Sequence, residues 1–205
     1  FDTLRVESTR GLYSFGPTQM KLENAEIHTP DSELIGNLTY DYEVGGLANF
    51  VNAVNWTFDL EPSLISTNDI RVFYDELGED IDISIEGLVL GTLNDFVLEN
   101  ADVSYNNSKV KGNLSFTDLI QETPDFISQV DAEELQTNAT DLKQLLPNIL
   151  GNTLPKELDK FGKVSVTGKN TLYPNKLITK SKWNTDIGTA NVDLSLDNIQ
   201  NFDLA

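Results

Sequence analysis

The sequence predicts a mainly β protein, built as a repetitive, elongated and curved antiparallel-type sheet that folds into a groove, with short helices between repeats. Three observations lead to this fold class: an internal repeat of about 76 to 80 residues, strands in which apolar and polar residues alternate, and the same phase of that alternation in every copy. A strand that alternates in this way has one dry face and one wet face.

The repeat is clearest where Leu22–Tyr42 aligns with Leu98–Asp118 without a gap, with eight identical residues in 21 positions. A third, weaker copy follows, because Val164–Gly168 repeats the pattern of Ile83–Gly87. We therefore interpret residues 1–205 as a single repeat-built β segment. Its units cover approximately residues 1–76, 77–156 and 157–205, the last being incomplete.

The strands of all copies place their apolar residues in the same phase. In the first copy, for example, Leu34, Leu38 and Tyr40 share one face, and Asn37 and Thr39 share the other. The apolar residues thus form one continuous face, which is either the core of a sandwich or a groove left open for an acyl chain. The repeat favours the groove, whose predicted lining is Leu34, Leu38, Tyr40, Ile83, Ile85, Val110, Leu114, Phe116, Val164, Val166, Val192, Leu194 and Leu196.

Short helices are predicted between the strands. The candidates are Leu47–Val54, a turn over Ser66–Tyr74 capped by Ser66, Thr140–Leu146, and Pro155–Phe161 with proline in its first turn. The polar stretch Pro124–Asn138 has no pattern that assigns it to a helix or a strand.

Composition argues against several functions. The formal charge of −19 disfavours nucleic acid, because phosphate binding needs clustered Lys and Arg. The chain has no Cys and a single His, His28, which we expect at the surface. Without a phosphate-binding loop or a nucleophile–base pattern, we expect no enzyme activity, no cofactor and no metal site.

Two charged segments have an ordinary explanation. Five carboxylates fall within residues 75–82, but their spacing does not match an EF-hand loop, so we expect a solvated acidic turn. Residues 156–182 carry seven Lys and two acids. They either form the wet face of a strand, which we favour, or a patch for anionic headgroups or an acidic partner.

Neither a leader nor a membrane span is evident in the sequence. The chain begins at Phe1 without a basic and apolar leader, which we interpret as an excised fragment or a mature chain. No apolar run approaches the roughly 18 residues of a transmembrane helix.

The repeat motifs carry a family resemblance. Leu22-Glu23-Asn24-Ala25, followed by Ser32 and then Gly36-Asn37-Leu38, resembles the repeats of TamB/AsmA-like proteins, most closely the Bacteroidetes form of the translocation and assembly module TamB. The segments Pro62–Ile70, Thr140–Pro147 and Gly87–Phe96 resemble the same family, and the resemblance covers nearly all of Leu22–Leu196.

That resemblance implies a large periplasmic protein, anchored in the inner membrane and reaching the outer membrane. Its apolar groove would conduct phospholipid, assist the assembly of outer-membrane β-barrel proteins, or both. The implied partners are phospholipid acyl chains or unfolded outer-membrane strands and, for the full-length protein, an Omp85-type barrel. The alternative is a closed, ligand-free structural β-sandwich module of a secreted or surface protein.

Overall fold

A computed structural model describes residues 4–120, 126–148 and 160–197. Their eleven strands are β1 (Ser8–Phe15), β2 (Gln19–His28), β3 (Glu33–Tyr42), β4 (Val54–Ser66), β5 (Asp82–Gly91), β6 (Phe96–Tyr105), β7 (Ser108–Thr117), β8 (Ile127–Thr137), β9 (Val164–Tyr173), β10 (Lys176–Thr185) and β11 (Gly188–Asp197). The helices are short: a 3-10 turn (Gly46–Asn49), α1 (Phe50–Ala53), α2 (Thr67–Ile70) and α3 (Ala139–Leu145).

All eleven strands form one antiparallel sheet, in which each strand pairs with its neighbours in sequence. The sheet is open, with β1 at one edge and β11 at the other. The predicted class, a mainly β elongated antiparallel sheet with short helices between repeats, is confirmed. The described strands therefore do not divide into the two sheets of a β-sandwich.

The predicted helices are largely confirmed. The Ser66 hydroxyl accepts a hydrogen bond from the Asn68 N–H and caps α2, and the Asn138 side chain caps α3 by accepting from the Asp141 N–H. The helix predicted over residues 47–54 is instead a 3-10 turn followed by one turn of α-helix. Most of the helix predicted over residues 155–161 lies outside the described residues.

The structure also contains three strands that the sequence analysis did not assign, β1, β4 and β8, of which β4 links the first two predicted helices. β8 occupies most of the stretch over residues 124–138 that sequence reasoning left unassigned, and β1 lies before the first repeat motif. The alternation of apolar and polar residues is interrupted within β8, because its register against β9 shifts between Ala132 and Leu135. After the shift, the apolar residues fall at positions of the other parity.

The sheet repeats every four strands, so β2–β5 correspond to β6–β9, and β10–β11 begin a third unit. The hairpin between β2 and β3 binds α2, because Ser32 donates its hydroxyl hydrogen to the Asp69 carboxylate. The hairpin between β6 and β7 binds α3 in the same way, through Ser108 and Asp141 at 2.8 Å. Equivalent residues of successive copies thus make equivalent contacts, as the aligned motifs predict.

Bulges recur at the same level across the sheet. Eight of the ten strand pairings change register there, and only the β9–β10 and β10–β11 pairings run without a shift over their described residues. A bulge bends its strand and increases the local twist. A row of bulges at one level is consistent with an elongated sheet that curves along its length.

Candidate functional site

The candidate site is the apolar face, which we define as the face of the sheet that carries Leu38 and Leu114. Side chains directly opposite one another in an antiparallel pair lie on the same face. Leu38 is opposite Leu22 and Phe58 in the neighbouring strands, and Leu114 is opposite Leu98 and Val130.

Following this register across the eleven strands places every predicted lining residue on the apolar face. These residues are Leu34, Leu38, Tyr40, Ile83, Ile85, Val110, Leu114, Phe116, Val164, Val166, Val192, Leu194 and Leu196. The sequence phase and the strand register therefore agree, while the role of these residues as the lining of a lipid groove stays a prediction.

Exposure differs along this face. Among the predicted lining residues, Leu38, Ile83 and Val166 are buried, Leu194 is exposed, and the others are half-buried. A buried cluster on this face is formed in β2–β4 by Leu22, Ala25, Leu38, Phe58 and Leu60. A face that is mostly half-buried retains apolar area that a ligand can cover.

An aromatic cluster covers one end of the apolar face, where α1 folds over the sheet. Phe50 of α1 packs edge-on against Tyr40 and Trp56, with ring centroids 5.5 and 5.7 Å apart. Burial raises the pKa of Tyr40 to about 12, because the ionised phenolate would lose its hydration. The buried Trp56 indole N–H has no hydrogen-bond partner among the described residues.

At the opposite end, α2 and α3 lie over the strand ends. Ile81, Ile83 and Tyr105 form a second buried cluster there, with Ile70 of α2 and Leu145 of α3 packed against it. A cavity of about 100 Å³ remains between α3 and β6–β8. Both ends of the apolar face are thus partly closed by short helices.

Part of the apolar face is polar in β9 and β10, a feature that the sequence analysis did not predict. Thr179 donates to the Asn170 side chain at 2.7 Å and lies 2.6 Å from the Ser181 hydroxyl, which also accepts from the Trp183 indole at 2.7 Å. All four residues lie on the apolar face by register. Leu172 and Leu177 lie on the same face as these polar residues, so only the phase relative to the other copies could have shown that the polar residues belong to this face.

The second missed feature is the glycine row, which we define as Gly11, Gly36, Gly87, Gly112 and Gly168. All five have positive φ, between +128° and +150°. A Cβ on Gly36 would lie 2.0 Å from the carbonyl oxygen of Asp59, so only glycine fits the close approach of the next strand.

Two asparagine pairs complete the bulges at this level. Asn24 adopts φ 50° and donates its backbone N–H to the Asn37 side chain at 2.9 Å. Asn100 and Asn113 repeat the arrangement, with φ 51° and a distance of 3.0 Å. The identical Glu-Asn-Ala and Gly-Asn-Leu motifs of the two copies were the sequence signal for this contact.

The opposite, wet face carries charged pairs. Asp102 lies 2.9 Å from Lys111 and 3.1 Å from Lys109, and the hydrogen bond from Lys111 is the main cause that lowers the Asp102 pKa. In the basic segment, Lys169 pairs with Asp131 across strands, and Lys176 and Lys180 pair with aspartates of β11. These lysines occupy a wet strand face, which is the interpretation favoured from sequence.

The acidic turn over residues 75–82 is organised by Arg71. Its guanidinium donates to the backbone carbonyls of Asp75 and Leu77 and lies 3.1 Å from Glu79. Within the described parts of the chain, no group of three or more His, Cys, Asp or Glu side chains is arranged to hold a metal ion. His28 is partly exposed beside the β2–β3 hairpin, 4.0 Å from Glu33.

In comparisons with known proteins, no family model, no curated protein and no solved structure matches this chain. Among the helices that the structure describes, none combines the length and the apolar character that crossing a membrane requires. The resemblance to TamB/AsmA-like proteins therefore rests on the sequence motifs and enters below as a proposal.

Proposed function

We propose that this chain is a segment of a TamB/AsmA-like protein of the periplasm, whose apolar face conducts phospholipid, assists the assembly of outer-membrane β-barrel proteins, or both. The full-length protein would be anchored in the inner membrane, reach the outer membrane and act with an Omp85-type barrel. The observation that carries the proposal is a single apolar face that runs through eleven strands of one open sheet.

The physical argument concerns what covers the half-buried part of that face. Leu114 and Phe116 remain partly accessible although Leu98 and Phe96 lie opposite them. A lipid tail that covers several hundred Å² of such surface would gain several kcal/mol, at about 25 cal/mol per Å². The first two copies place apolar residues at equivalent positions of the sheet, so an acyl chain could pass between them without a large change in free energy. In β9 and β10, Asn170, Thr179 and Ser181 interrupt this apolar surface.

A ligand-free structural module is the second candidate. The cluster around Leu38 and Phe58 supports it, because these side chains are buried by the protein itself. If such self-packing extended along the whole face in solution, no area would remain for lipid.

Mass spectrometry of the purified protein under native conditions, together with lipid extraction, distinguishes the two candidates. Phospholipid that co-purifies in a defined ratio supports the conducting face. A protein that carries no lipid after expression in the bacterial periplasm, and takes up none from vesicles, contradicts it.

Leu114→Glu makes the test specific to the apolar face. In a face open to water the new carboxylate remains hydrated, so the variant should fold while its uptake of a fluorescent phospholipid falls. Ser115→Glu is the matched control, because Ser115 is the next residue and points to the wet face. Loss of folding by Leu114→Glu, in a protein whose wild type binds no lipid, would leave the structural module as the better explanation.

A further inference from the structure

A small cavity lies beneath α3, at the end of the apolar face where the β6–β7 hairpin binds that helix. Its volume is about 100 Å³. Val110 and Leu135, which are opposite each other in β7 and β8, line it from the sheet, and Leu142 and Leu145 line it from the helix. The accessible wall of the cavity is apolar, and such a space holds an apolar group more readily than it holds water.

One polar atom beside the cavity has no partner. Tyr105 lines the cavity and is only 8 % exposed, and its buried hydroxyl makes no hydrogen bond with any described residue. Buried polar groups in native proteins are generally paired with the protein, with ordered water or with a ligand. The cavity is the free space that borders this side chain, so a ligand inside it can reach the hydroxyl.

The other polar side chains that line the cavity already have partners. The Asp141 carboxylate accepts hydrogen bonds from the Ser108 hydroxyl at 2.8 Å and from the Asn138 amide at 2.9 Å. Thr137 lies 2.8 Å from the Ser108 hydroxyl, and Gln136 donates to a backbone carbonyl at 3.1 Å. Among the described side chains of this lining, the Tyr105 hydroxyl is therefore the group left to bind a ligand.

The first copy of the repeat shows that the fold does not require this unpaired group. The offset of 76 residues between the aligned motifs places Thr29 where the second copy has Tyr105. The Thr29 hydroxyl donates to Asp69 of α2, which corresponds to Asp141 of α3. The unpaired hydroxyl in the second copy is therefore not a consequence of the repeat itself.

The charge and the size of the cavity restrict the ligand. Burial raises the pKa of Tyr105, and the charge of Asp141 raises it further, so the phenol stays protonated at neutral pH and can donate. The same carboxylate disfavours an anionic ligand, because a second negative charge would be costly to bury beside it. An apolar cavity of about 150 Å³ accepts benzene, so this one suits a molecule of about five or six non-hydrogen atoms.

We propose that this cavity is a binding site for a small neutral organic compound with a carbonyl or ether oxygen. The apolar body of the ligand contacts Val110, Leu135 and the leucines of α3, and its oxygen accepts a hydrogen bond from the Tyr105 hydroxyl. The cavity is far smaller than a phospholipid tail requires. The proposal therefore does not depend on lipid binding by the apolar face.

The experiment titrates the whole protein with three probes of matched size, cyclopentanone, methylenecyclopentane and isobutyrate, and follows the methyl NMR signals. Cyclopentanone should give saturable shifts at Val110, Leu135 and Leu142, with a Kd of about 1 mM. Methylenecyclopentane has the same shape without the oxygen and should bind about three- to tenfold more weakly, because Tyr105 then stays unpaired. Isobutyrate is ionised at neutral pH and should not bind. Shifts that do not saturate, or equal affinities for the two ring compounds, would overturn the proposal.

Tyr105→Phe keeps the aromatic ring and removes the hydroxyl. The variant should bind cyclopentanone about three- to tenfold more weakly than the wild type does, and methylenecyclopentane equally well. Its melting temperature should equal or exceed that of the wild type, because no hydrogen bond is lost. A lower melting temperature would mean that water or the protein already satisfies this hydroxyl in solution, which contradicts the proposal.

A methyl group added inside the cavity tests where the ligand binds. Val110→Ile should weaken the binding of both ring compounds about tenfold, because the new methyl group occupies part of the ligand's space. Val89→Ile is the matched control, since Val89 is also a half-buried valine but packs against the cluster in β2–β4. Its affinity for both probes should match the wild type. If the two variants bind equally well, the ligand lies outside this cavity and the proposal is wrong.

Discussion

The first four-strand unit, β2–β5, and the last three strands, β9–β11, share one sheet but differ in how their apolar face is covered. In β2–β5 the face is a buried cluster around Leu38 and Phe58. In β9–β11 the equivalent level holds Thr179 and Ser181, and Leu194 is 40 % exposed. A repeat in sequence therefore preserves the sheet without preserving the packing.

The backbone differs between the same two regions. The pairings within β2–β5 contain bulges, while those among β9, β10 and β11 are regular over their described residues. Bulges bend strands, and in the first unit they occur together with a buried apolar cluster. In β9–β11, where the register is regular, the apolar side chains of the face have fewer apolar neighbours. Polar side chains of the same face hydrogen-bond to one another there.

The largest expected contrast concerns apolar truncation. Phe58→Ala should lower the free energy of unfolding by about 3–5 kcal/mol, because it removes a buried ring that is only 3 % exposed. Leu194→Ala should cost about 1 kcal/mol or less, since that side chain is 40 % exposed and loses less buried apolar area. Urea unfolding with a fixed m-value measures both. Equal losses would mean that the last strands are packed as tightly as the first unit.

The glycine row gives the next contrast. Gly36→Ala should destabilise by about 3 kcal/mol, because φ is +150° and the new methyl group would overlap the Asp59 carbonyl. Gly188→Ala is the matched control, with φ +155° and no neighbouring atom within 4 Å, and should cost about 1 kcal/mol. If thermal melts show the same loss for both, the close approach of β4 does not require glycine.

Most strands of the sheet could be predicted because apolar and polar residues alternate regularly along them. β3 alternates from Leu34 to Tyr42, and the same phase appears in β7, so the lining residues of both were assigned to one face. β1 was missed because Leu12 on the wet face and Tyr13 on the apolar face are both apolar, which hides the alternation.

The geometry of the bulges and the hydrogen bonds among Asn170, Thr179 and Ser181 depend on tertiary pairing, which the local sequence pattern does not specify. Whether Gly36 adopts positive φ depends on how near β4 approaches, and that distance is set by tertiary pairing. The hydrogen bonds among Asn170, Thr179 and Ser181 depend on the register of β9 against β10, which the turn at Pro174 fixes. In both cases the local pattern is compatible with more than one structure.

The third contrast concerns the polar side chains Asn170, Thr179 and Ser181, which hydrogen-bond to one another on the apolar face in β9 and β10. Thr179→Val should lower stability by about 2 kcal/mol, because Asn170 and Ser181 lose a partner in a place that is 2 % exposed. Replacing Asn170, Thr179 and Ser181 together by apolar residues of similar size should cost less, since few groups remain unpaired. Chemical denaturation compares the two variants. If the triple variant is less stable than Thr179→Val, these polar side chains contribute more to the stability of the protein than the hydrogen bonds they make with one another.

The smallest contrast is a pH dependence located in the aromatic cluster of the first unit. Burial raises the Tyr40 pKa from its ordinary value of 10.0 to about 12, so the folded protein holds this proton more tightly than the unfolded chain does. The resulting stabilisation is complete below pH 10 and is lost as the pH rises from 10 to 12.

Tyr40→Phe removes this titration and keeps the ring against Phe50 and Trp56. Between pH 9 and pH 11 the wild type should therefore lose about 1 kcal/mol more stability than the variant, measured by urea unfolding at each pH. Tyr74, whose pKa is also raised to about 12, titrates equally in both proteins and cancels in the comparison. Parallel stability curves over this range would mean that Tyr40 reaches water, and that the aromatic end of the apolar face is open in solution.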